Sequence, residues 1–278
     1  MLTQAEKGVI FRDLHLNEGT FVLPNVWDVG SAQLFAGLGY KALATTSSGF
    51  AYTNDYRDGE GDFGLEEALA HARLIVRATD LPVSADLENG YADEPDGVAE
   101  SVLEAAAVGL VGCTIEDTCP GKPGFYPFDL AVARVKAAAI AARSLPFPFM
   151  LTARADGLIE GLYDLDEAIR RLQAYESVGA PVVYAPFLKS LDDIARVCAS
   201  VKVPVNHLGG LGAPGETVAT LGDAGVRRIS LGGSLARVAL GAAWKAGKEI
   251  AESGTFAEVA SAPGWKPILE AIQAGKLH

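Results

Sequence analysis

Short apolar segments alternate with longer helical ones along most of the chain, and this alternation limits the possible folds more than any other feature. Eight segments have the length and the apolar, β-branched composition of buried strands: residues 21–26, 41–46, 83–86, 113–116, 149–154, 182–185, 203–206 and 228–231. A helical pattern, with apolar residues three or four positions apart, follows most of them. Strands that alternate with helices pair in parallel. Eight such units with short connections predict an α/β fold, a closed (β/α)8 TIM barrel.

An open, doubly wound sheet is the alternative parallel architecture. It is disfavoured because the first strand is followed by DVGS at 28–31 and not by a GxGxxG turn. The length of 278 residues is usual for a barrel, which takes about 250 residues. No linker divides the chain, so we expect residues 1–253 to form the catalytic barrel and residues 254–278 a C-terminal helical tail. That tail is apolar and must cover its own barrel or a neighbouring subunit.

Composition excludes several classes of protein. A net charge of -12 gives no basic surface for nucleic acid or for an anionic membrane. Apolar residues make up 49% of the chain and charged residues 21%, as in compact globular enzymes. Three cysteines form no CxxC pair, which favours a reducing cytoplasm. Neither a secretory signal nor an apolar run of the ~20 residues that a membrane helix needs is recognisable.

Charged side chains end three consecutive predicted strands. Asp86 and Glu88 close the third, Glu116 closes the fourth, and Arg154 closes the fifth. In a TIM barrel these ends meet at the active-site face. Asp86 and Glu88 should project together, because residues i and i+2 share a face of a strand, unless the chain has already turned. Clustered carboxylates call for a cation, and oxygen ligands without a histidine cluster suit Mg²⁺, or alternatively Mn²⁺.

Each of these residues also has a simpler interpretation. Asp86 and Glu88 could cap a helix or solvate a loop, and Arg154 could be an ion-pair partner of Glu116, which is compatible with binding a substrate carboxylate. Ser48 and Gly49 could offer backbone N–H groups to a carboxylate or form an ordinary turn.

Other strand ends carry weaker signals. Trp27 and Asn206 stand at the ends of the first and seventh strands and are candidate substrate contacts. Residues 232–234 are explained equally well by helix capping, so we leave them out of the site. His207 is more simply a structural histidine, and Cys119 has no histidine nearby in the sequence that would activate its thiol.

Five motifs in this order resemble the isocitrate lyase/phosphoenolpyruvate mutase superfamily: NVWDVGSA at 25–32, TSSG at 46–49, SADLENGY at 84–91, IED at 115–117 and AR at 153–154. The resemblance implies a (β/α)8 barrel whose last helix is exchanged between subunits, usually in a homotetramer built as a dimer of dimers. It also implies Mg²⁺ and small 2-oxo acid or dicarboxylate substrates.

The resemblance further implies roles for individual residues. Asp86 matches the direct metal ligand, and Glu88 and Glu116 match acids that reach the metal largely through water. Asp58 matches a further acid near the metal. Ser48, Gly49 and Phe50 match contacts to the substrate carboxylate and oxo oxygen, and Arg154 matches the substrate-binding arginine. Lys122 falls where mutase-type members carry a lysine on a gating loop.

Two departures from the family pattern bear on the reaction. Isocitrate and methylisocitrate lyases carry Lys-Lys-Cys-Gly-His in the loop after the fourth strand, and nothing here matches it, so a standard isocitrate lyase is disfavoured. The surroundings of Lys122, residues 119–124, also differ from the mutase sequence.

These residues favour an Mg²⁺-dependent lyase that cleaves a C–C bond of a small 2-oxo or 2-hydroxy dicarboxylate, through an enolate stabilised by metal and arginine. The alternatives are a phosphonopyruvate/phosphoenolpyruvate mutase or phosphonopyruvate hydrolase, and a non-catalytic 2-oxo acid binding protein. A Schiff-base aldolase is disfavoured because the sixth strand has no lysine, and a zinc aldolase because only His207 lies near a strand end.

Overall fold

The architecture is a barrel of parallel strands surrounded by helices. The computed structural model describes residues 1–17, 19–122, 124–159 and 161–277, so residue 278 of the predicted tail lies outside it. Within these ranges one sheet runs in the order β1-β9-β8-β7-β6-β5-β4-β3-β2. Its strands are β1 (Phe21–Leu23), β2 (Asn25–Val26), β3 (Leu43–Thr45), β4 (Val83–Asp86), β5 (Gly112–Glu116), β6 (Met150–Arg154), β7 (Val182–Tyr184), β8 (Val205–Leu208) and β9 (Arg228–Ser230).

Strands β1 and β2 together are the first predicted strand. Pro24 interrupts it, because proline has no N–H for the sheet ladder. β1 pairs with β9 while β2 pairs with β3, so the divided strand closes the sheet on itself. The amide of Asn25 ties this seam: it donates to Thr45 O at 2.7 Å and accepts from the N–H groups of Leu231 and Gly232 at 2.8 and 2.9 Å. The predicted TIM barrel is confirmed.

Helices surround the barrel in the predicted alternation. They are α1 (Gln4–Leu16), α2 (Val29–Gly37), α3 (Ser47–Thr53), α4 (Leu65–Ala78), α5 (Pro95–Ala107), α6 (Phe128–Ser144), α7 (Leu165–Ser177), α8 (Leu191–Ser200), α9 (Val218–Asp223), α10 (Ser234–Ser253), α11 (Ala257–Ser261) and α12 (Trp265–Ala274). None of the described helices is both long and apolar enough to cross a membrane.

One helix was not predicted, and one strand lies later than predicted. Helix α3 begins at Ser47, where the sequence indicated only a turn. The hydroxyl of Thr46 caps it by accepting the N–H of Gly49 at 3.3 Å, and such caps start helices even in segments with weak helix propensity. Strand β8 begins at Val205, two residues after the predicted start at Val203.

Helix α1 closes the amino-terminal end of the barrel. Phe11 lies so close to the start of β5 that a β-carbon at Gly112 would be 2.9 Å from the phenyl ring, a distance that requires glycine there. His15, one turn later, packs edge-on against Phe11 and Phe21. Helix α1 therefore covers the amino-terminal end of the barrel, and function is expected at the carboxyl ends of the strands.

Candidate functional site

The carboxyl ends of β4, β5 and β6 bring the predicted acids and the arginine together. Glu116 and Arg154 are direct neighbours in the sheet, and Arg154 Nη1 lies 2.9 Å from Glu116 Oε2 and 3.9 Å from Asp86 Oδ1. Arg154 Nε donates to Asp156 Oδ1 at 2.7 Å. The guanidinium is therefore held in one orientation by three carboxylates.

Asp86 is oriented by hydroxyl groups from both neighbouring strands. Its Oδ2 accepts from the hydroxyl and the N–H of Ser47 at 3.1 and 3.3 Å, and its Oδ1 accepts from Thr114 Oγ1 at 3.0 Å. These donors fix the carboxylate while leaving it able to accept further bonds, since each ionised carboxylate has about four acceptor positions.

Glu88 lies beyond the end of β4, where the chain has already turned. Its φ of 46° is in the left-handed region, a strained conformation for a residue other than glycine. The alternation of a strand therefore does not apply to it. Its carbonyl accepts the N–H of Glu116 at 2.8 Å, which keeps its side chain buried beside the site. Glu88 Oε1 is buried without a hydrogen-bond partner, and burial together with the charges of Asp86 and Asp58 raises the pKa of Glu88 to about 8.

Acids outnumber cations around these residues. Burial raises the pKa of Glu116 well above its ordinary value, although Arg154 opposes this shift. Partial burial of the Asp58 carboxyl group and the charge of Asp86 also raise the pKa of Asp58, although the residue as a whole is exposed. Such shifts mark a buried site in which carboxylates lie close to one another.

The acids meet the requirements of Mg²⁺ in charge and in ligand type. Among the described residues, no three His, Cys, Asp or Glu side chains already converge as ligands. Mg²⁺ does not require that, because it keeps several waters and binds one or two carboxylates directly. Asp86 could ligate the ion, with Glu88 and Glu116 reached through water. A cation would also give the unpartnered Glu88 Oε1 an attractive neighbour.

A cavity of about 310 Å³ opens beside this cluster. The predicted residues that line it are Ser48, Asp58, Asp86, Arg154 and Asn206. The Ser48 hydroxyl is 3.0 Å from Thr46 Oγ1. Asn206 is buried, and its amide is already bonded to Ser230 Oγ and to Arg228 Nε, at 2.9 and 2.7 Å.

Three predicted substrate contacts lie off the cavity wall. Phe50 packs in an aromatic cluster with Tyr56 and Phe63, and its N–H donates to Thr46 O at 3.0 Å. Gly49 lies behind the wall, where a β-carbon would be 2.5 Å from Thr46 Cγ2. Trp27 packs against Gly49. These three residues therefore pack behind Ser48 and do not line the cavity themselves.

Lys122 lines a second, adjoining cavity of about 260 Å³ together with Glu88, Glu116 and Arg154. Its Nζ lies 3.2 Å from Asp93 Oδ2 in an exposed ion pair. Cys119 lines the same cavity, but burial raises the pKa of its thiol, which disfavours a thiolate.

The sequence interpretation missed several residues that hold the site. Thr114 and Asp156 are spaced two residues from Glu116 and Arg154, so the strand period could have identified them. Tyr184, whose ring lies 5.3 Å from the Arg154 guanidinium, carried no such signal. His207 is structural: its Nε2 pairs with Glu216 at 2.9 Å, and Glu216 accepts the N–H groups of Gly210 and Ala213.

Comparison with known proteins agrees with this arrangement. The family model described as phosphoenolpyruvate phosphomutase matches residues 11–251. An uncharacterized protein of Mycobacterium tuberculosis (strain ATCC 25618 / H37Rv) is 36% identical over 80% of this chain and 81% of its own. A candidate 2-methylisocitrate lyase of Corynebacterium glutamicum is 31% identical over 68% of this chain and 63% of its own. An oxaloacetate decarboxylase of Paraburkholderia xenovorans is 29% identical over 68% and 64%.

A solved structure is similar over nearly the whole chain. The crystal structure of a candidate lyase/mutase from Burkholderia cenocepacia J2315 superposes with a TM-score of 0.91, at 44% identity, over 96% of this chain and 95% of that one. Together with the strand-end motifs, these matches show that the chain is an enzyme of the phosphoenolpyruvate phosphomutase family, within the isocitrate lyase/phosphoenolpyruvate mutase superfamily of lyases and mutases.

Proposed function

We propose that this enzyme cleaves a C–C bond of a small 2-oxo or 2-hydroxy dicarboxylate with the help of Mg²⁺. The observation that carries the proposal is that Arg154 lines two adjoining cavities, one with the oriented Asp86 and the other with the buried Glu88, whose Oε1 has no hydrogen-bond partner. Relatives named as an oxaloacetate decarboxylase and a candidate 2-methylisocitrate lyase support a reaction at such substrates.

Each residue has a role in this proposal. Asp86 would hold the ion, and Glu88, Glu116 and Asp58 would place further carboxylates beside it. When bound, the ion supplies Lewis-acid polarisation of the substrate carboxylate and oxo oxygen. Arg154 donates to the substrate oxygen on which negative charge grows as the bond breaks, and its fixed orientation means that little reorganisation is needed. Ser48, at the start of α3, donates its hydroxyl to the substrate carboxylate.

A substrate panel tests the proposal. Purified protein with Mg²⁺ is incubated with oxaloacetate, 2-oxoglutarate, methylisocitrate, alkylmalates and phosphonopyruvate, and products are followed by NMR with and without EDTA. We expect one diacid to release pyruvate, oxalate or CO₂ in an EDTA-sensitive reaction. Arg154→Lys, which keeps the charge but loses the planar fork, should lower kcat/KM about a hundredfold or more.

Two outcomes of the panel would contradict C–C cleavage. Mg²⁺-dependent binding without any product would indicate a 2-oxo acid binding protein. Turnover of phosphonopyruvate alone would indicate the mutase or hydrolase, a second candidate favoured by one observation: Lys122 lines the cavity that also holds Glu116 and Arg154.

We also propose a cytoplasmic homo-oligomer in which residues 254–278 and the preceding helix contact a neighbouring subunit. Helix α10 ends at Ser253, and Gly254 adopts the left-handed C-cap conformation with φ of 66°, which supports the predicted boundary between barrel and tail. Within helix α10, only Ala236, near the start of the helix, is buried. The carboxyl end of α12 lies against α2, with Gly37 and Gly275 at the contact, while most of the tail remains exposed.

A further inference from the structure

Three arginines are almost completely buried, and one of them has an unusual environment. Arg171 pairs with Asp117 and Glu167, both at 2.9 Å. Arg134 donates to the carbonyls of three residues, Asn89, Ala92 and Asp93. Arg228 is 1% exposed and forms no ion pair and no hydrogen bond to a backbone carbonyl among the described residues. Its bonds go to Asn206 Oδ1 at 2.7 Å and to His15 Nε2 at 3.4 Å.

Neither partner neutralises the charge of Arg228. His15 is uncharged, because burial and the nearby charge of Arg228 lower its pKa to about 3, while its Nδ1 donates to Phe11 O at 2.7 Å. Burial lowers the pKa of Arg228 only to about 10, so the guanidinium remains charged at neutral pH. An isolated buried charge is strongly unfavourable unless an opposite charge accompanies it.

Arg228 lines the same cavity as Arg154 and Asp86. Arg154, Tyr184, Asn206 and Arg228 are successive register partners across β6, β7, β8 and β9. Register partners in parallel strands share a face, so both arginines project into the barrel. Three strand spacings separate their Cα atoms by about 14 Å along the wall.

The cavity that both arginines line has a mixed wall, with the apolar side chains of Leu23 and Leu208 beside small and hydroxyl-bearing residues. TIM-barrel interiors are usually filled by bulky branched side chains. Here the small or hydroxyl-bearing residues Ala44, Ser84, Thr114 and Ser230 line the cavity. Three of these residues, Ser84, Thr114 and Ser230, place hydroxyl groups on the same cavity wall as the Arg228 guanidinium.

We propose that Arg228 binds the second carboxylate of a dicarboxylate substrate, whose first carboxylate lies at Arg154 and the acid cluster. The inference rests on the proposed function for the class of substrate, and it makes Arg228 the residue that distinguishes diacids from monoacids. Arg154 alone could not do so, because three carboxylates of the protein already surround it.

Binding of two matched probes tests this role without any need for turnover. Glutarate has two carboxylates, and butyrate has one on a similar chain. Calorimetry with Mg²⁺ present should show Arg228→Met weakening glutarate binding about tenfold or more, the effect of losing a charge-assisted hydrogen bond. Butyrate binding should stay unchanged. Arg228→Lys, which keeps the charge, should recover part of the glutarate affinity.

Two controls separate this effect from misfolding and from net charge. Arg228→Met removes an uncompensated buried charge, so its thermal midpoint should not fall. Arg196→Met removes an exposed arginine whose only ion pair is with Asp166 in the described chain, and it should leave both affinities unchanged.

Three results would overturn the proposal. Arg228→Met could weaken the binding of glutarate and butyrate equally, or leave glutarate binding unchanged, or be unfolded while a folded Arg228→Lys binds both probes normally.

A chloride titration tests whether a small inorganic anion, and not a substrate carboxylate, lies at Arg228. A small inorganic ion occupies the position if three results are found together. Chloride raises the thermal midpoint of the wild type, Arg228→Met abolishes that increase, and Arg228→Met leaves glutarate binding unchanged. Failure of the NMR panel alone, with the glutarate effect present, would reject the C–C cleavage and not the role of Arg228.

Discussion

At the scale of single residues, the burial of His15 and its contact with Arg228 couple stability to pH. The folded-state pKa of about 3 lies below the ordinary value of 6.5, so between these values the unfolded chain binds the extra proton. The contribution of His15 to stability is complete above pH 6.5 and is lost as the pH falls toward 3, at about 1.4 kcal/mol per pH unit. The charged groups that face the ring are Arg228 and, more weakly, Arg227.

This pH dependence can be isolated with one variant. His15→Gln cannot titrate, so its free energy of unfolding should vary less between pH 7 and pH 4 than that of the wild type. Urea unfolding at several pH values measures the difference between the two proteins. A difference that stays constant over this range would show that His15 does not titrate as described.

The strand period explains which site residues the sequence could predict. Asp86, Glu116 and Arg154 end strands in a barrel, and their convergence followed from that alone. The placement of Glu88 could not be derived, because its positive φ depends on a turn that tertiary contacts stabilise. The contact between Arg228 and His15 could not be derived from the sequence either, because the two residues are more than 200 positions apart in the chain.

At the scale of elements, Asp117 joins the site strands to the helix layer. It follows Glu116 and therefore faces away from the barrel interior. Its carboxylate accepts from Arg171 Nη1 at 2.9 Å and from the hydroxyls of Tyr163 and Tyr175, at 3.0 and 3.1 Å. It also accepts the N–H of Asp156 at 2.7 Å, and Asp156 in turn positions Arg154.

Asp117→Asn should therefore be strongly destabilising. The change keeps the shape but leaves Arg171 with only the partly exposed Glu167 as a counter-charge, and breaking a buried ion pair costs up to about 3–5 kcal/mol. Urea unfolding measures the loss. Asp166→Asn is the matched control, because Asp166 pairs with Arg196 at the surface and such pairs contribute little. A loss for Asp117→Asn as small as that of the control would contradict the proposed link.

Element boundaries could be predicted where periodicity and capping agree. Strand β4 has its predicted limits, and helix α10 ends at Ser253, the predicted end of the barrel, because capping or turn residues flank a clear apolar pattern. Helix α3 was missed because SSGF at 47–50 has weak helix propensity, and its start depends on the Thr46 cap.

At the scale of the whole molecule, the carboxyl-terminal part of the chain presents an apolar surface that its own barrel leaves uncovered. Helix α10 has 20 residues, which makes it about 30 Å long. Trp244 on this helix is 64% exposed, and Trp265 at the start of α12 is 75% exposed. Val238, Ile250 and Phe256 are exposed with them. Apolar surface of this extent indicates a protein interface.

A second copy of the chain would cover this surface, with the last helices of each subunit packed against the other. The protein should then have the mass of a dimer or tetramer in light scattering after size exclusion, and Trp244→Glu should shift it toward the monomer. Burying a carboxylate in an apolar interface costs several kcal/mol, and two symmetric copies double the effect. Leu74→Glu is the control, because Leu74 on α4 is also exposed but lies in the helix layer outside this surface. A wild-type monomer, or an equal shift in both variants, would contradict the exchange of helices.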